Sequence, residues 1–81
     1  MVRRTFSGRE VTKALTKYGY VPKSRHGSHV RLRYEHPETG EVRNVDVPQH
    51  DELKIGTLRS IADQCGAKDF HSWCEWIEQT L

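Results

Sequence analysis

The residues best equipped for chemistry lie together in Lys23-Ser24-Arg25-His26-Gly27-Ser28-His29-Val30-Arg31-Leu32-Arg33, a basic turn running into a strand with one histidine and two arginines. Successive side chains of a strand point to opposite faces, so His29, Arg31 and Arg33 share one face and Val30, Leu32 and Tyr34 the other. A group that can take or give a proton therefore stands beside two fixed cations. Metal-free cleavage of RNA asks for this combination. It needs a base near the ribose 2′-OH, cationic donors for the charge that builds on phosphate, and a proton donor for the leaving oxygen. Histidine is the side chain suited to both proton transfers near neutral pH. His29 is thus the candidate catalytic residue, and Arg31 and Arg33 offer forked guanidinium groups to phosphate. Gly27 removes side-chain bulk just before the histidine, while Lys23 and Arg25 add attraction for a polyanion. One histidine is fewer than a two-proton mechanism wants. His26 and His50 are candidates for the second, and sequence places neither beside His29. The plainer alternative is a solvated strand histidine among basic neighbours.

Other chemistries find less to work with. The five histidines, at 26, 29, 36, 50 and 71, form no two-histidine helical pair with a neighbouring carboxylate, and no CxxC is present. No metal site and no cofactor are expected. Neither a GxxxxGK[ST] phosphate loop nor a GxSxG elbow occurs. Cys65 and Cys74 fall in helix-like sequence without redox or metal spacing, and read as reduced structural thiols.

The elements that must position His29 follow from periodicity and punctuation. Ser7 with Glu10 three residues later is a capping box, opening a helix whose apolar stripe is Val11, Leu15 and Tyr18 and which Gly19 closes. Arg9, Lys13 and Lys17 form a second row, either a solvated face or an edge that tracks phosphates. Tyr20 to Lys23 reads as a short strand that Pro22 confines to an edge or an end. Ser28 to Tyr34 is the longest strand candidate. A turn over His36 to Gly40 leads to a third strand, Val42 to Val47. Val45 and Val47 join the buried face, Asn44 and Asp46 the face of His29, and Val42 breaks the alternation. A second helix begins near Gly56-Thr57 with Leu58, Ile61, Ala62 and Cys65 inward, and Gly66 ends it. Asp69 caps a last helix containing Phe70, Trp73, Cys74, Ile77 and Leu81, with Trp76 at its border. One helix, three antiparallel strands and two more helices predict an α+β fold with the helices on one sheet face. The other face is then open.

Eighty-one residues are the length of one domain, 1–81, which buries only about 60% of its unfolded surface and has little room for a closed pocket. A hydrophobic share of 35%, a charged share of 30% and a mean hydropathy of −0.81 describe a soluble chain. With no apolar run long enough for a membrane and no leader-like start, a cytoplasmic location is expected. The net charge of +2 conceals an asymmetry: residues 1–47 carry ten Lys/Arg against five Asp/Glu, and residues 48–81 three against six. A basic half suits an anionic partner, though a solvated surface has the same signature.

These residues resemble the HicA toxins, small mRNA interferases of toxin–antitoxin pairs. Ser7-Gly8-Arg9-Glu10 is similar to the family's opening, and its helix leads to Gly19-Tyr20-Val21. Gly27-Ser28-His29 matches the glycine-serine-histidine signature, Val47-Pro48-Gln49-His50 the valine-proline-x-histidine segment, and Gly56-Thr57-Leu58-Arg59-Ser60-Ile61 the start of the second helix. The resemblance implies a double-stranded-RNA-binding-domain-like fold, α-β-β-β-α with an additional C-terminal helix. It also implies endonucleolytic cleavage of mRNA with His29 catalytic, Gly27 and Ser28 within the RNA-binding set, and a HicB-like antitoxin over the active face. The turn from His36 to Gly40 is longer than in compact members, and Trp73 and Trp76 depart from the usual tail. Two rival functions use the same basic face: a non-catalytic double-stranded-RNA-binding module, and a protein-interaction domain for an acidic partner.

Overall fold

The computed structural model describes residue 3 and residues 5–81, so part of the basic lead-in, at Met1, Val2 and Arg4, lies outside the described residues. Along the chain run α1 (Gly8–Tyr18), β1 (Val21–His26), β2 (His29–Glu35), β3 (Val42–Pro48), α2 (Ile55–Gln64) and α3 (Phe70–Thr80). This is an α+β fold. The strands form one antiparallel sheet in the order β1-β2-β3.

Helix α1 starts where the capping box places it. Ser7 Oγ accepts from the Glu10 amide at 3.0 Å, and the Glu10 carboxylate accepts from the Ser7 amide at 2.9 Å, satisfying two donors at the helix start. Gly8, the next residue, is buried against the segment after β3: a β-carbon there would fall on the Pro48 carbonyl oxygen. Its amide donates to the His50 carbonyl at 2.9 Å, so the helix start and the end of the sheet are locked together. Asp69 caps α3 as the sequence predicts, accepting from the His71 amide. Lys54 stands at the cap of α2 and makes no side-chain capping bond.

Leu32 from β2 and Val45 and Val47 from β3 are fully buried against Val11, Leu15, Leu58, Ile61 and Ile77 of the helices. At about 25 cal/mol per Å² of apolar surface removed from water, each such side chain contributes on the order of 1.5–3 kcal/mol. Burial along β2 alternates, and that alternation leaves His29, Arg31, Arg33 and Glu35 exposed. Helices α1 and α2 both touch β3, and α3 closes over both of them. Among the described residues, the helices pack against the face of Leu32, Val45 and Val47, and α2 also reaches the outer edge of β3.

Strand β1 differs from its expected extent. It runs from Val21 to His26, three residues beyond the Tyr20–Lys23 stretch that the sequence indicates. All six of its residues are exposed, so it has no inward-outward alternation by which a pattern could be read. It is an edge strand, which accommodates Pro22, and its pairing with β2 is irregular between Pro22 and Ser24. The long β2–β3 connection is held by its own backbone and by His36, whose Nδ1 accepts from the Glu38 and Thr39 amides. His36 serves the turn.

The aromatic residues gather on the helix side. Trp73 is 6% exposed and belongs to the core. Trp76 meets Tyr18 edge-on at 5.6 Å, and Tyr18, Tyr20 and Tyr34 lie within 6.1 Å of one another between ring centres. Burial is the main cause that pushes the Tyr20 phenol and the Cys65 thiol up from their ordinary values, as expected of structural groups. Among the described residues neither cysteine is in a disulfide.

Candidate active site

The connection between β1 and β2 is only two residues long, Gly27-Ser28. Gly27 has φ +59° while Ser28, like every described non-glycine residue, has negative φ, which is the pattern of a type II′ hairpin turn with glycine in its first central position. Space around Gly27 is open on the side a β-carbon would take. The glycine is there for its backbone angle and leaves the turn bare.

This tight turn makes His26 and His29 direct partners across the hairpin. Cross-strand partners point to the same face, with β-carbons about 5 Å apart. Both residues are exposed, and among the described residues neither imidazole is held by a hydrogen bond, an ion pair or a ring contact. The second histidine that the sequence could not place thus has its Cα opposite that of the first.

From there the open face extends along the ladder. Ser24 pairs with Arg31 and Val21 with Arg33 on one side; Asp46 pairs with Arg31 and Asn44 with Arg33 on the other. Arg31 Nε lies 3.3 Å from Asp46, and an Arg33 nitrogen lies 3.8 Å from Glu35. Exposed pairs of this kind are worth about 0–1 kcal/mol, so a phosphate can replace the carboxylate at little cost. Each guanidinium has donors to spare.

The remaining sequence-predicted residues are more scattered. Lys23 sits at the irregularity of β1 and is exposed. Arg25 pairs with Val30, which puts it on the sheet face opposite His29, and its Nε donates to the Gly27 carbonyl at 3.3 Å, bracing the turn. Ser28 contributes its carbonyl, which accepts from the Gln49 amide at 2.6 Å. Gln49 in turn donates from Nε2 to Thr12 Oγ1 of α1 at 2.9 Å. The Val47-Pro48-Gln49-His50 segment is therefore a clamp joining the histidine turn, β3 and α1.

One part of the site was not visible in the sequence. His29 borders an open groove of about 360 Å³ that passes Asp46 and Pro48 to reach Gly56, Thr57, Ser60 and Gln64 of α2. The groove forms because α2 lies along the outer edge of β3, where Gln64 Oε1 accepts the Asp46 amide at 2.9 Å. Sequence reading takes Gly56-Thr57 only as a helix start. The tertiary placement of α2 makes those residues neighbours of His29.

The site is thus a histidine hairpin at the end of an exposed sheet face on which two arginines stand paired with carboxylates, with an open groove beside it. Against known families, residues 8–67 match the family described as the HicA toxin of bacterial toxin–antitoxin systems. The chain belongs to the HicA toxin family. The match covers α1, the sheet and α2, which together carry every residue of the candidate site, and it stops before α3. Neither the curated proteins nor the solved structures gave a match to the chain. Among the described residues no helix is long and apolar enough to cross a membrane.

Proposed function

We propose that this toxin acts by cutting RNA, with mRNA as its substrate, and that His29 performs proton transfer in the cleavage step. Arg31 and Arg33 receive the phosphate, exchanging their carboxylate partners for it. Lys23 and Arg25 contribute longer-range attraction, and Gly27 and Ser28 keep the approach to His29 unobstructed. A single observation carries this reading: His29, Arg31 and Arg33 alternate onto one exposed face of β2, within a chain of the toxin family. An open face suits a polymer, which must be gripped along its length and released.

The same openness explains how the activity is restrained. An antitoxin of the HicB type, with acidic groups complementary to the arginine face, would cover His29 and displace RNA in one step. Expression of the wild-type chain in bacterial cells is expected to arrest growth and shorten bulk mRNA, and co-expression of the antitoxin to prevent both. His29→Ala, at equal soluble levels, is expected to do neither. Growth arrest with intact mRNA would overturn the ribonuclease reading.

A further inference from the structure

We infer that His26 is the second proton-transfer group, so that the active unit is the His26–His29 pair across the hairpin. The inference rests on the ribonuclease reading and adds a catalytic residue to it. Its basis is the register: the two-residue Gly27-Ser28 turn makes His26 and His29 direct cross-strand partners at the end of the hairpin. Direct partners share a face. Two imidazoles rooted about 5 Å apart and projecting into solvent can reach different oxygens of one phosphodiester.

The chemistry balances with these two groups alone. One neutral imidazole takes the 2′-OH proton as the 2′-oxygen forms a bond to phosphorus. The P–O5′ bond breaks, and the partner imidazolium gives its proton to the departing 5′-oxygen. The products are a 2′,3′-cyclic phosphate and a 5′-hydroxyl, and the proton inventory of the pair is unchanged. Charged groups that face the pair are Arg31 of β2, whose charge supports the phosphate, and Asp46 of β3, which pairs with Arg31 and borders the same groove as His29. From α2 the groove receives only Gly56, Thr57, Ser60, Ile61 and Gln64, none of them ionisable. Lys23 and Arg25 lie on the same edge strand as His26. His50 is a weaker candidate. It lies two residues beyond Pro48, the partner of His29, outside the sheet, where no strand register sets it on the face of His29.

The test compares wild type, His26→Ala, His29→Ala and His50→Ala on RNA across a pH series, with folding checked by circular dichroism. Wild type is expected to give a bell-shaped profile. His26→Ala and His29→Ala are each expected to fall by about 10²–10⁴-fold and to lose opposite limbs of the bell. A uridine 3′-phosphate ester of p-nitrophenol then separates the roles, because its leaving group needs no proton. Whichever variant lacks the acid recovers on that ester, and the other does not. Wild-type cleavage together with an undiminished, bell-shaped His26→Ala profile would overturn the pair while leaving the ribonuclease reading intact. Limb loss in His50→Ala instead would also overturn it. Absence of cleavage by wild type would remove both.

Discussion

Arg31 and Asp46 stand opposite each other on β2 and β3, with the guanidinium Nε 3.3 Å from the carboxylate and the two side chains 54% and 50% exposed. At that exposure the pair adds little to stability. In the proposed function, a phosphate takes the place of this carboxylate.

This pair predicts a salt signature. In a non-cleaving His29→Ala background, Arg31→Ala should weaken binding to single-stranded RNA and reduce the slope of log K against log salt by about 0.7, the value of one lost phosphate contact. Asp46→Asn should tighten binding at low salt. Fluorescence anisotropy over a salt series measures both. An unchanged slope in Arg31→Ala would take that arginine out of the phosphate set.

Gly8 yields a prediction of opposite sign to ordinary helix propensity. Replacing a helical glycine with alanine usually stabilises by about 1 kcal/mol. Here the new methyl group meets the backbone carbonyl of Pro48, which cannot swing aside, and would push α1 away from the clamp around the histidine turn. Gly8→Ala should therefore destabilise by about 1–3 kcal/mol, a fall of at least about 4 °C in Tm for a domain of this size. A higher Tm would contradict the close approach.

Acid should weaken the start of α1. The Ser7 amide, first, and the Arg3 guanidinium hold the Glu10 carboxyl below its ordinary value. A carboxylate depressed in the folded state supplies stability that is present at neutral pH and lost as pH falls through the folded value. Asp69 acts in the same sense through the Ser72 hydroxyl and the His71 amide. Glu10→Gln keeps an acceptor for Ser7 but loses the charge, so it should melt below wild type at pH 7, by a gap that narrows as pH falls through the folded-state carboxyl value. A gap of the same size at every pH would assign the loss to packing.

Much of this arrangement was legible because its signals are local. Ser7 and Glu10 announce α1 within four residues, and the alternation from Val30 to Tyr34 fixes which face His29 occupies. Edge strand β1 was not legible beyond Lys23, since a strand exposed on both faces lacks a period. That gap is why His26 read as part of a turn. The rule for two-residue hairpin turns would have placed it, had the strand been carried forward to Gly27. The choice of Asp46 as counter-ion depends on the register set by the long His36–Glu41 connection. The groove depends on α2 settling against the edge of β3. Both are tertiary, and neither has a sequence period.

The proposed activity turns on whether His29 moves a proton during RNA cleavage. End-labelled RNA incubated with purified wild-type protein and with His29→Ala, both in EDTA, addresses this directly when the fragment ends are identified. Wild type should yield 5′-hydroxyl and 2′,3′-cyclic phosphate ends, and the folded variant should cut at least about 10²-fold more slowly. Undiminished cutting by His29→Ala, or wild-type cleavage that EDTA abolishes and added metal restores, would contradict it.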